Sequence, residues 1–77
     1  MNKHRRKRLR DLDDRLESLI VDFEQILEAE TEAFDNMPEN LQASERGDAM
    51  QATNDSLTAL VDYLQDARTE LSEVIGS

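Results

Sequence analysis

On both sides of a single proline, apolar residues recur at an unbroken three-then-four spacing, and that rhythm leaves few folds open. Before Pro38 it runs through Leu9, Leu12, Leu16, Leu19, Phe23 and Ile26. After it the series is Met50, Thr53, Leu57, Leu60, Leu64, Ala67, Leu71 and Val74. This is the seam of a heptad repeat on an α-helix; a half-buried strand would alternate every second residue. A second row lies one position beyond the seam: Ile20, Leu27 and Phe34 on the first helix, Val61 and Ile75 on the second. A seam plus a flanking row is wider than one helix–helix contact needs and suits a helix with two neighbours. The expected fold is therefore all-α. It is an antiparallel, coiled-coil-like two-helix hairpin, self-associating into a four-helix or larger bundle. Its expected core is Leu12, Leu16, Leu19, Ile20, Phe23, Ile26 and Leu27 with Leu57, Leu60, Val61, Leu64 and Leu71.

The spacing predicts a single domain over 1–77, with helices over about 4–36 and 45–75 and a turn over 37–44. Met1 to Lys3 are expected to fray. Pro38 lacks a backbone donor and pushes Met37 out of the α region, so the first helix should stop near Asn36. Residues 38–41 are expected to make one helical turn, with proline in its tolerated first position. Asn36 and Asn40 suit caps or turns, because their amides bond nearby backbone. Ser44 reads as an N-cap, with Glu45 and Asp48 placed against the positive end of the helix dipole. Gly47 is expected to weaken that helix start slightly. Folding the chain about residues 41–42 pairs Ile26 with Leu57, Leu19 with Leu64 and Leu12 with Leu71.

The turn also carries a resemblance. The string Glu30-Thr31-Glu32-Ala33-Phe34 running into Asp35-Asn36-Met37-Pro38-Glu39-Asn40-Leu41-Gln42, then Ser44-Glu45-Arg46-Gly47, resembles a family of small acidic helical proteins encoded by phages, prophages and mobile elements of Gram-positive bacteria. The likeness covers the turn closely, and the basic start and both acidic helices more loosely. It implies a viral or mobile-element accessory protein in the host bacterial cytoplasm.

Size and charge bound the rest. A chain of 77 residues buries only about 60% of its unfolded surface, so a lone hairpin is marginal without a partner. With no cysteine and one histidine, His4, in a charged tail, neither a disulfide nor a thiolate or imidazole metal site is expected. No apolar run approaches the roughly 20 residues of a membrane span, and the basic start lacks the apolar core of a secretory signal. The net charge of −9 divides sharply. Lys3, Arg5, Arg6, Lys7, Arg8 and Arg10 give the first ten residues +6, with no acid; the remaining residues hold all 18 acids against Arg15, Arg46 and Arg68, which is −15. The tail is expected to continue the helix and neutralise Glu70 and Glu73 at the far end of the second helix. The other readings of it are a phosphate contact with nucleic acid and contact with an acidic protein or membrane surface; base stacking has no aromatic to support it.

Glu30 stands where the seam wants Leu or Ile, and the fold-back places it beside Thr53 and Asn54. As a structural feature it lies near the helix end, half exposed, capped by backbone or by Arg46. As a functional one, the three residues form a polar layer that fixes register or orients a small ligand. Above it crowd Phe34, Asn36, Met37, Asn40, Gln42, Ser44 and Arg46, and this turn end is the expected binding site. Arg46 is expected to pair with one of Glu30, Glu32, Asp35, Glu39, Glu45 or Asp48.

The chain has no glycine-rich phosphate loop, no nucleophile with a histidine base and no Glu-x-x-His pair, so neither an enzyme nor a cofactor is expected. The resemblance implies binding in counter-defence, by sequestering a small nucleotide signal or blocking a host defence protein. The acidic body suggests a DNA-mimic form of this, because a 30-residue helix of about 45 Å carrying many acids approaches the linear charge of a duplex. Other expectations are a structural or regulatory homo-oligomer, dimer or tetramer, assembling with another phage protein, and nucleic-acid binding through the tail.

Overall fold

A computed structural model describes all 77 residues. The chain forms α1 (Lys3–Asp35), the single turn α2 (Glu39–Gln42) and α3 (Glu45–Gly76), and α1 and α3 lie against each other as an antiparallel hairpin. The result is a rod of 58 × 15 × 12 Å with a radius of gyration of 17.4 Å. A compact chain of this length would have a radius of gyration of about 11–12 Å.

The helix ends follow from local chemistry. α1 begins one residue earlier than the periodicity predicts, because the Asn2 side chain accepts from the Arg5 N–H at 2.8 Å and caps it. It stops at Asp35 with Asn36 as C-cap, two residues before Pro38. α2 closes the corner with Leu41 and Gln42 N–H groups donating to the Pro38 carbonyl. The Ser44 hydroxyl accepts from Gly47 N–H and donates to the Leu41 carbonyl, so one side chain joins the end of α2 to the start of α3.

Register is set by an ion pair that the apolar pattern does not reveal. Arg68 Nε donates to Asp13 Oδ1 at 2.9 Å and Arg68 Nη2 to Asp13 Oδ2 at 3.3 Å, a two-pronged match of fork to carboxylate. Seven residues nearer the turn on both helices, Ile20 comes level with Val61, and these are the two buried hydrophobic side chains, 5% and 6% exposed. At the open end Arg6 Nη2 donates to the Ser77 carbonyl at 2.7 Å.

This register corrects the expected layers. The inner rows of the hairpin are Leu9, Asp13, Leu16, Ile20, Phe23, Leu27 and Phe34 on α1, and Gly47, Met50, Asn54, Leu57, Val61, Leu64, Arg68, Leu71 and Ile75 on α3; all are buried or half-buried. Leu12, Leu19 and Ile26, expected to face Leu71, Leu64 and Leu57, are instead 47%, 47% and 52% exposed. The row expected to flank the seam lies inside the hairpin, and half of the expected seam lies outside. The two sets differ by one helical position, so either closes a hairpin by period alone. Asp13 and Arg68, seven residues from Ile20 and from Val61, select the one that brings opposite charges together.

Candidate binding surfaces

Three surfaces hold the residues singled out by sequence: the turn end, the basic tail and the long faces of the shaft.

At the turn end most candidates are engaged in making the corner. Gln42 Nε2 donates to the carbonyls of Phe34 (3.0 Å), Met37 (3.1 Å) and Asp35 (3.4 Å), tying α2 back to the end of α1. Of these, Phe34 and Asp35 belong to the last turn of α1, whose carbonyls lack the usual i+4 donors; the Phe34 carbonyl also accepts from Met37 N–H. Asn36 caps α1, Ser44 caps α3, and Phe34 and Met37 are half-buried against them. Gly47 does more than weaken a helix start. A Cβ there would lie 2.1 Å from the Gln42 carbonyl oxygen and 2.6 Å from that of Leu41, so α3 passes α2 closely because residue 47 has no side chain. Asn40 and Arg46 are exposed. Arg46 forms no ion pair, against the expectation that one of the surrounding acids would hold it.

Glu30, Thr53 and Asn54 do not form one buried layer. Glu30 and Thr53 are both exposed, and the Thr53 hydroxyl donates to its own helix at the Ala49 carbonyl, 3.1 Å. Glu30 is held by neither Arg46 nor a backbone cap. Only Asn54 enters the inner row, where its Oδ1 is buried without a hydrogen-bond partner.

The tail is helical from Lys3. It makes no ion pair with Glu70 or Glu73. Lys7 pairs with Asp11 one turn on, at 3.3 Å, and Arg6 folds onto the chain end, while Lys3, Arg5, Arg8 and Arg10 are exposed.

The shaft has two unlike faces. On one, Glu17, Glu24, Gln65 and Ser72 line a groove over Ile20 and Arg68. Arg68 Nη2 also reaches Glu17 Oε2 at 3.0 Å. The hydrogen bond to Asp13 holds the guanidinium above its usual pKa, opposed by desolvation and reinforced by the charges of Asp13, Glu17 and Asp14. In an antiparallel pair, positions with the same heptad offset share a face. Glu17 and Glu24 follow the inner row by four, as Gln65 and Ser72 do on α3, and they meet on this polar face. Leu12, Leu19 and Ile26 precede that row by one, as do Thr53, Leu60, Ala67 and Val74, and they share the opposite face. That face is apolar and open, with Leu60 and Val74 at 38% and 42% exposure.

Sequence reasoning missed Asp13, Arg68 and the close approach at Gly47. The signal for the first two was present: an acid and a base on the three-four rhythm, each seven residues from an inner-row aliphatic. No helix is long and apolar enough to cross a membrane. Comparison of the chain with family models, curated proteins and solved structures gives no match.

Proposed function

We propose that this chain is a non-enzymatic accessory protein of a phage or mobile element, built as a homo-oligomeric helical bundle and acting by binding in counter-defence, through blockade of a host defence protein. The observation that supports this best is the split shaft: an open apolar face for assembly, behind a polar face and ends whose acids point to solvent. The accessible surface is 5897 Å², where a compact protein of this mass exposes about 4,800 Å². The difference matches a helical pair that finishes its core against another chain. Acids left on the outside of such a bundle form a stiff, negatively charged rod suited to a basic surface. At the turn end the unpaired Arg46 and exposed Asn40 remain available to a partner, whereas Gln42, Ser44 and Gly47 serve the corner.

Native mass spectrometry of the protein purified from infected cells tests this reading. A homo-oligomer holding one host protein at fixed stoichiometry supports blockade. A retained nucleotide moves the function to sequestration of a signal. A monomer carrying neither overturns the proposal. A second reading, nucleic-acid binding, rests on the exposed Lys3, Arg5, Arg8 and Arg10 along one helical start. It requires DNA affinity that falls steeply with salt and is lost when residues 1–8 are deleted.

A further inference from the structure

We propose that a second copy of this chain covers the apolar face, running antiparallel to the first about a two-fold axis at Leu19. The proposal rests on the assembly reading above and assigns it a face, a direction and a centre.

Area comes first. The rod is 58 Å long and 15 Å wide, so one long face offers about 870 Å² per copy, close to the roughly 800 Å² that each partner contributes to a standard stable interface. The exposed leucines and isoleucine of α1 and the Leu60–Val74 row of α3 lie along it.

The direction comes from the spacing of those rows. Leu12, Leu19 and Ile26 are palindromic: an axis through Leu19 sets Leu12 of one copy against Ile26 of the other, and Leu19 against itself. On α3 the row Thr53, Leu60, Ala67, Val74 has its midpoint between residues 63 and 64. The Asp13–Arg68 and Arg6–Ser77 contacts place residues 62–64 level with Leu19. One axis therefore serves both helices, pairing Leu60 with Ala67 and Thr53 with Val74.

Charge independently selects this direction over the one with both turns at the same end. About the Leu19 axis, Arg8 of one copy comes level with Glu30 of the other, and the basic start of each lies along the acidic turn end of its partner. Glu30 is the acid that follows Ile26 on the apolar side, exposed and unpaired within its own chain. It comes level with Arg8 and within a turn of Arg5. With both turns at one end, Glu30 would instead lie level with Gln51 and Thr53, where there is no cation. The two basic starts, +6 each, would then share an end, as would the turns, where residues 28–48 hold seven acids and one arginine.

The chain has no cysteine, so single introduced thiols report geometry cleanly. Each variant is treated with a short bis-maleimide at micromolar concentration, and its mass is followed by light scattering. Leu19→Cys is expected to cross-link to itself. Leu12→Cys and Ile26→Cys, alone, are not, since like residues would sit about 21 Å apart along the axis; mixed, they are. A dimer that fails to link through Leu19 but links Leu19→Cys to Ala67→Cys overturns the antiparallel arrangement and leaves assembly standing. A monomer overturns both. Glu30→Lys is expected to raise the dimer dissociation constant about tenfold, since each dimer has two such contacts turned repulsive. Adding Arg8→Glu to it is expected to restore most of the affinity; no restoration counts against the pairing.

Discussion

At the corner, three backbone carbonyls converge on one Gln42 amide and residue 47 has no room for a methyl group. Along the shaft, over some thirty residues of each helix, two hydrophobic side chains are buried. The corner is determined within the chain by hydrogen bonds of fixed direction and a backbone approach that tolerates one residue type. The shaft is held by side chains that stay half open, with one ion pair to set its register. Reversal of the chain is thus a local property, whereas the shaft leaves much of its apolar surface open.

The largest effect expected is at the corner. Gly47→Ala puts a Cβ into backbone atoms of Gln42 and Leu41, and backbone cannot rotate aside as a side chain does. The usual helix preference for Ala over Gly, about 1 kcal/mol, is overwhelmed, and the net cost is about 3 kcal/mol, at the upper end of overpacking. For a domain of this size the melting temperature should fall by about 12 °C or more. Gly76→Ala is the control, because nothing lies within 4 Å of a Cβ there; it should be neutral or slightly stabilising. Equal behaviour of the two variants in a thermal melt would remove the distinction between corner and shaft.

Next comes the shaft itself. Ile20→Ala removes the most buried hydrophobic side chain and should cost about 2–3 kcal/mol, at the low end for such truncations because a narrow seam can partly collapse. Leu19→Ala, one residue away and half exposed, should cost little in the dilute hairpin. At concentrations where copies associate its cost should approach that of Ile20→Ala, because stability is then linked to assembly. Thermal melts of both variants across a hundredfold range of protein concentration make the comparison. A Leu19→Ala cost that does not change with concentration would mean that nothing covers the outer row.

The corner was largely legible in the sequence. Pro38 and Ser44 act through bonds to residues three or four positions away, so their effect is written locally, whereas the Asn36 and Asn40 side-chain amides make none of the backbone bonds expected of them. The role of Gly47 is not written locally, since it depends on where α2 passes it in space. The shaft was legible as a period and not as a register. Leu9, Leu16 and Phe23 belong to both possible seams. The choice between the row of Leu12, Leu19 and Ile26 and the row of Asp13, Ile20 and Leu27 is made by a pairing between residues 55 positions apart. The candidate site divided the same way: the turn residues could be named, but which of them are consumed by the corner depends on the Gln42 amide reaching back over α1.

A smaller change, of opposite sign, is expected at Asn54. Its Oδ1 is buried in the inner row without a partner, at a position the register sets level with Leu27. An unsatisfied buried amide costs about 1–3 kcal/mol, so Asn54→Leu should stabilise the hairpin by about 1–2 kcal/mol. A polar group at such a position is also a known means of fixing register. The variant should therefore gain a more continuous apolar row and lose discrimination against the alternative seam, seen as a second set of amide signals in a two-dimensional NMR spectrum. A fall in melting temperature with a single set of signals would instead show that Asn54 finds a partner in the assembled protein.

The smallest effect on stability is expected from Arg46→Ala, and it separates a corner from a contact. Arg46 is exposed and forms no ion pair, although seven acids lie between residues 28 and 48. Removing an unpaired surface side chain ordinarily changes stability by no more than about 0.5 kcal/mol. Its position two residues into α3 also leaves a cation at the positive end of the helix dipole, where it is mildly unfavourable. The melting temperature should therefore stay within about 2–4 °C of the parent, most simply on the higher side. If the turn end engages an anionic ligand or an acidic partner surface, the same substitution should remove binding, because Arg46 is the only cation there. Unchanged melting with loss of protection in a phage-infection assay would make the turn end the contact surface. Unchanged melting with full protection would reduce it to a corner and move the search to the polar face around Glu17, Glu24 and Gln65.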